Sequence, residues 1–209
     1  MIRHLSIHPQ FLDALLTQMR QDGYEFVDLG SAVERLAVRS PQARRFAVIT
    51  ADDGYRDNLL EALPVLERHR APMTIYVAPA LIDGTATMWW EVVEAIVEKC
   101  DLVTVPADGG PARLESVTPV QKRAANRWLQ DHLSRRVSEA ERDGLVAALA
   151  IAHGVDPDGP RRDLLMDWDE IARIAADMTL VATSAGVVLW YYDLFAVRFV
   201  ARKVFAFAR

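Results

Sequence analysis

The chain has 209 residues, of which 51% are hydrophobic and 25% charged, a balance that supplies the core of one ordinary domain and excludes a largely disordered protein. Lys and Arg number 24 against 29 Asp and Glu, a net charge of −5, and no basic stripe is long enough to follow a phosphate backbone, so nucleic acid is not expected as a partner. The single cysteine, Cys100, excludes an internal disulfide framework and a cysteine-based metal cluster.

In chain order, Phe11, Leu12, Leu15, Leu16 and Met19 recur at helical spacing between Pro9 and Gly23, a residue suited to ending a helix. Residues 24–29 alternate apolar and polar as a strand does, and Ser31 opens a short helix reaching Leu36. The apolar run 46–49 reads as a strand buried on both faces. Residues 58–70 have helical character, and Pro64 within them must either begin a new helix at its first position or kink the existing one. A second short buried strand covers 73–77. Strands and helices alternating at this pitch predict parallel β/α units, in an open sheet or a barrel. Beyond Pro79 come a loop, a helix from Trp89 to Lys99, a strand over 102–105 and a Gly109-Gly110-Pro111 turn. Residues 119–153 are charged and alanine-rich, which predicts two solvent-facing helices, with His69, His132 and His153 as surface residues. After a polar loop at 156–162, Asp167 and Glu170 have capping-box spacing for a helix ending near Asp177. The first twenty residues contain Asp13 and no long apolar core, so no secretory signal is seen and a cytoplasmic location is expected.

Thr50-Ala51-Asp52-Asp53-Gly54-Tyr55 directly follows the 46–49 strand. Two carboxylates at the C-terminal mouth of a parallel β/α unit stand where such folds place their active sites, and Gly54 would let the backbone turn both toward one cavity. Neighbouring like charges resist joint ionisation, which suits one carboxylate to metal binding and the other to accepting a proton. The plainer alternative is a solvated turn. His4-Leu5-Ser6-Ile7-His8-Pro9 spells His-x-x-x-His-Pro, but it leads into the first helix and reads as an exposed entry segment. Trp89 and Trp90 could stack on sugar rings, with burial at the start of their helix as the alternative.

The run 46–77 as a whole resembles the polysaccharide deacetylase family, also called the NodB homology domain. The likeness rests on Thr50-Ala51-Asp52-Asp53-Gly54-Tyr55-Arg56-Asp57-Asn58, Ala62-Leu63-Pro64-Val65-Leu66 and Ala71-Pro72-Met73-Thr74-Ile75-Tyr76-Val77. It extends through Gly23-Tyr24 on one side and through Trp89-Trp90 and Met166-Asp167-Trp168-Asp169-Glu170 on the other, about residues 3–178. The chain is most similar to members that remove acetyl groups from chitooligosaccharides or related N-acetylated glycans. The resemblance implies an α/β fold of the distorted (β/α) barrel type, incomplete at the C-terminus. It also implies a divalent metal, commonly zinc, Asp53 as its ligand, Asp52 as general base, and an N-acetylated oligosaccharide or polysaccharide as partner. Ala51 stands where the family has Phe. The family's Ser/Thr-His-x-x-x-His-Pro segment has no counterpart, because residues 179–209 contain no histidine.

Three readings follow: metal-dependent hydrolysis of N-acetyl groups with other ligands completing the metal, an inactive carbohydrate-binding relative, or a truncated gene product. The expected domains are 1–178, a partial deacetylase-like domain, and 179–209, a tail outside the resemblance. From Met178 on, the chain holds one acid and four bases and seven of the seventeen aromatic residues, reversing the charge from −8 to +3. Residues 180–197 are apolar enough to be considered membrane-seeking, but Asp193 and their marginal length favour a core segment, and no membrane partner is expected. These changes coincide with the end of the resemblance and predict a reading-frame shift near codon 178. Translating the gene's other two frames downstream of Met178 should reveal a Ser/Thr-His-x-x-x-His-Pro segment within about twenty codons, and its absence from both would make the tail a genuine replacement.

Overall fold

The computed structural model describes residues 7–38, 44–107 and 110–177. They fall into two compact units, one of residues 83–164 and one of residues 7–82 with 165–177. The tail 179–209, its expected boundary at 178, His4 and Gly109 lie outside the described residues.

The unit containing the N-terminal residues opens with α1, Pro9–Gln21, in which Pro9 occupies the first turn and the His8 ring Nδ1 accepts the Gln10 N–H at 3.2 Å as N-cap. The helix ends where Gly23 takes φ 82° and the Tyr24 N–H returns to the Met19 carbonyl at 2.9 Å. The following strand β1 is shorter than its alternating pattern predicts, Glu25–Phe26. Asp28 cuts it off: its carboxylate accepts the Ser31 N–H at 2.9 Å and the Ser31 hydroxyl at 2.6 Å. Thus α2, Leu29–Val38, starts two residues before the expected Ser31, with Asp28 satisfying its first turn.

The 46–51 run forms β2, Phe46–Ala47, and β3, Ile49–Ala51, separated only by Val48. Both pair in parallel, β2 with β1 and β3 with β4, Met73–Ile75. The register matches Ile49 with Met73 and Ala51 with Ile75, and the Tyr76 N–H extends it to the Ala51 carbonyl at 2.8 Å. The expectation of burial on both faces fails for 46–49, where only Ala47 is fully buried, and holds for β4, whose three residues are all buried. Between them, the proline in the 58–70 segment has a visible effect. A π-helical turn, Asn58–Ala62, carries the Leu63 N–H to the Asn58 carbonyl, and α3, Leu63–Arg68, then starts with Pro64 in its first turn. Proline has no N–H to give the preceding turn, so the ladder widens before it and restarts. A short helix α4, Pro79–Ile82, occupies part of the expected loop.

The second unit begins with α5, Trp89–Lys99, then a hairpin of β5, Leu102–Val105, and β6, Ala112–Glu115, paired antiparallel from Leu102↔Glu115 to Val105↔Ala112. Next come α6, Pro119–Arg135, opened by a Thr118–Gln121 capping box, then α7, Glu139–Ala152, and α8, Gly159–Leu164, within the expected polar loop. The expectation that 119–153 is merely solvent-facing is corrected here. Leu129, Leu133 and Ala150 are fully buried with Val92, Val93, Ile96 and Val103 in one core. The apolar residues of α6 are few but share one face, which the charged majority obscures.

The chain then returns to the first unit through α9, Trp168–Asp177, with Ile171 and Ile174 in a core that includes Leu16, Phe26, Leu66, Met73 and Ile75. Among the described residues the strands form three two-stranded sheets, two of them parallel as β/α units require. No helix among those residues is long and apolar enough to cross a membrane.

The buried face of α6 is testable by comparing two truncations on one helix. Leu129→Ala, at 0% exposure, should destabilise the protein by about 2–5 kcal/mol in denaturant titrations. Val120→Ala, at 67% exposure, should shift stability by less than about 0.5 kcal/mol.

Candidate functional site

Where β3 ends, the backbone makes two successive left-handed turns, at Asp53 with φ 66° and Gly54 with φ 75°. Aspartate tolerates this region better than most side chains, while glycine meets no steric cost there. Space also calls for glycine at 54, because a Cβ would stand 3.3 Å from Val77 Cγ1. The turn sends the chain off the end of the β3–β4 pair and leaves Asp52 exposed and Asp53 partly buried.

Burial, reinforced by the nearby Asp52 charge, pushes the Asp53 carboxyl up to about 6. Asp52 and Asp53 therefore differ in environment: one is open to water and the other partly withdrawn from it. Tyr76 directly follows β4, and its phenol is pushed up by burial and then by the Asp52 charge. It is a third polar group at the same strand end. Sequence reasoning gave Tyr76 no role; its place one residue past a buried strand, matching the place of Asp52 past β3, was the available signal.

The turn is fastened from its far side. The Met166 N–H donates to the Gly54 carbonyl at 3.0 Å, Tyr55 and Leu165 form an antiparallel bridge, and the Arg56 Nε lies 3.1 and 3.0 Å from the two Glu170 oxygens. Glu170 also completes the predicted capping box, accepting the Asp167 N–H at 3.0 Å while its own N–H reaches Asp167 Oδ1 at 2.8 Å.

The described histidines serve other contacts. His69 is not a simple surface residue: its side chain is 13% exposed and its Nε2 lies 3.0 Å from Asp13, whose carboxyl His69 and Arg68 hold below its usual range. His132 stacks on Trp128 with centroids 4.8 Å apart. His153 is half-buried, with Nδ1 2.8 Å from the Leu149 carbonyl and Nε2 accepting the Thr104 N–H at 3.3 Å. His8 caps α1. Among the described residues no three His, Cys, Asp or Glu side chains gather where they could hold a metal ion. A protein zinc centre usually takes at least three ligands, commonly including imidazole or thiolate, so the carboxylate pair at the strand end does not fit that metal by itself.

Trp89 and Trp90 belong to the other compact unit. Their rings meet edge to face at 5.9 Å. Trp89 packs against that unit's core and has the Arg142 guanidinium 5.1 Å from its centroid, so part of its aromatic surface is already engaged.

The chain matches no family model and no curated protein sequence. Among solved structures it is similar to the Streptococcus pyogenes deacetylase PplD in complex with acetate, with 26% identity over 37% of this chain and a TM-score of 0.35. That match spans 34% of the PplD chain, about a third of its length. It is also similar to a de-N-acetylase from Aggregatibacter actinomycetemcomitans, with 14% identity, 71% of this chain and 76% of the other covered, and a TM-score of 0.35. The BpsB deacetylase domain from Bordetella bronchiseptica gives 14% identity, 73% and 76% coverage, and a TM-score of 0.33. At these scores the functional reading rests on the chain's own residues.

The elevated Asp53 carboxyl has a pH consequence of definite sign. The folded chain holds this proton up to about 6 while the unfolded chain releases it near 3.8, so the associated stability is present at low pH and lost as pH rises through that interval. Asn at position 53 keeps the left-handed turn and removes the charge. Asp53→Asn should therefore be more stable than the parent at pH 7 by about 1–2 kcal/mol, allowing for partial solvent screening, with the gap closing below pH 4. Thermal melts across that range would measure it.

Proposed function

We propose that this chain is a polysaccharide deacetylase-like protein whose site is the Asp52–Asp53 strand end, with an N-acetylated oligosaccharide or polysaccharide as its ligand. The observation that carries this reading is the left-handed Asp53–Gly54 turn at the end of a parallel strand pair, which presents two carboxylates of unequal environment beside Tyr76. An acetamido group offers one N–H donor and one carbonyl acceptor. An exposed carboxylate at Asp52 can accept the N–H, while a protonated Asp53 or the Tyr76 hydroxyl can donate to the carbonyl.

In the hydrolytic role that the resemblance implies, Asp52 is the general base, since it is the carboxylate left open to solvent. Asp53 is the metal ligand of that scheme, but the described donors do not complete a metal site. On this reading the chain recognises the acetamido group and does not turn it over. This favours the inactive carbohydrate-binding reading over the hydrolase, while leaving the ligand class the same.

Three measurements on the purified chain test this. Calorimetry should show tetra-N-acetylchitotetraose binding, with cellotetraose, which lacks acetamido groups, binding at least about tenfold more weakly. Elemental analysis should find much less than one equivalent of zinc, and no acetate should be released. Equal affinity for the two sugars would overturn the ligand assignment. Stoichiometric zinc lost in Asp53→Ala, together with acetate release, would make the chain a metallohydrolase.

A further inference from the structure

We propose that Glu170 is a positioning residue for the Asp52–Asp53 turn, acting through Arg56; this inference rests on the proposed glycan site. The turn is left-handed at two successive residues, a backbone arrangement that persists only where its surroundings hold it. On the side leading into the turn, β3 holds it by pairing with β4. On the exit side, three successive residues are tied to α9 and the segment leading into it: the Gly54 carbonyl to the Met166 N–H, Tyr55 to Leu165, and Arg56 to Glu170. Leu165 and Met166 are 2% and 1% exposed, so the two backbone ties end on buried core residues.

The Arg56–Glu170 pair is the side-chain member of this set and joins residues 114 apart in sequence. Its side chains are 27% and 20% exposed, which sets it apart from the chain's more exposed pairs such as Arg135–Asp131, at 75% and 59%, whose charges water screens. Glu170 Oε2 is shared between the Arg56 Nε at 3.0 Å and the Asp167 N–H at 3.0 Å. One carboxylate thus fixes both the first turn of α9 and the residue three positions beyond Asp53. A helix cap alone does not require Arg56, and glutamine serves the capping box as well as glutamate does. The glutamate charge is therefore needed for the arginine.

The test separates the pair from the cap. Glu170→Gln keeps the capping box and removes the ion pair, Arg56→Ala removes it from the other side, and Asp167→Ala weakens the cap while leaving the pair. Both pair variants should lower affinity for tetra-N-acetylchitotetraose by about tenfold. They should also accelerate exchange of the Met166 amide by about tenfold in NMR, with melting temperatures no lower than that of Asp167→Ala. Asp167→Ala should bind within about twofold of the parent. Unchanged affinity and exchange in Glu170→Gln would overturn the positioning role, as would affinity losses that simply follow melting temperature across the three variants. If the parent itself binds no tetramer, the glycan reading fails, and the Met166 exchange rates still decide whether Glu170 holds the turn.

Discussion

A backbone that passes through φ 66° at Asp53 and φ 75° at Gly54 must be held from both sides, and much of this unit's local structure supplies the hold. On one side the short β3 is registered against β4 residue by residue, and the Tyr76 N–H carries the pairing past Ile75 to Ala51. On the other side, the entry to α9 bonds to the three residues that leave the turn. The core beneath gives both anchors their rigidity, since Met73, Ile75, Met166, Ile171 and Ile174 share one buried cluster. Local conformational cost is thus concentrated at one point and offset by packing elsewhere.

The electrostatics at that point follow from the same geometry. Two adjacent acids in a regular strand would project to opposite faces; here the turn begins at the second of them, leaving Asp52 exposed and Asp53 partly buried. The partly buried carboxyl keeps its proton to about 6, and burial, followed by the same Asp52 charge, raises the neighbouring Tyr76 phenol. In the function proposed above, these three polar groups at one strand end are the ones that meet an amide. A tight metal centre asks for more donors than this. Among the described residues the histidines are committed elsewhere, His8 to capping, His69 to the Asp13 carboxylate, His132 to stacking on Trp128 and His153 to backbone contacts.

Residues 83–164 form a unit whose stability comes from helix packing around a small hairpin. Ser116 and Asn126 are buried polar residues in it; the Ser116 hydroxyl donates to the Cys100 carbonyl at 2.5 Å and Asn126 Oδ1 lies 3.5 Å from Gln130 Nε2. The Asp143 carboxylate accepts the Thr87 N–H at 3.1 Å just ahead of α5. With Arg142 over Trp89, neighbouring residues of α7 thus secure the start of α5, and part of the Trp89 surface is used in doing so.

Several elements were legible in the sequence because local chemistry decides them. The Pro9 start and Gly23 stop of α1, the Asp167–Glu170 capping box and the placement of Asp52 and Asp53 just after a strand are written in residue type and spacing. Parallel pairing of β3 with β4 follows from the intervening helical segment, which a two-residue hairpin could not replace. Other features depended on which of several competing groups made the contact, or on segments that meet only in the fold. Asp28 displaced Ser31 as the cap of α2 because its carboxylate could take both Ser31 donors, and β6 was missed because Ala112–Glu115 shows strand character only once paired with β5. The core face of α6 was hidden because three or four apolar side chains suffice when α5 and α7 pack around them. At the site, the sequence determined that two carboxylates follow a strand and precede a glycine. Which of them is withdrawn from water, that Tyr76 joins them, and that Glu170 reaches Arg56 across 114 residues were decided by tertiary structure, because burial and long-range charge pairing arise only when distant segments meet.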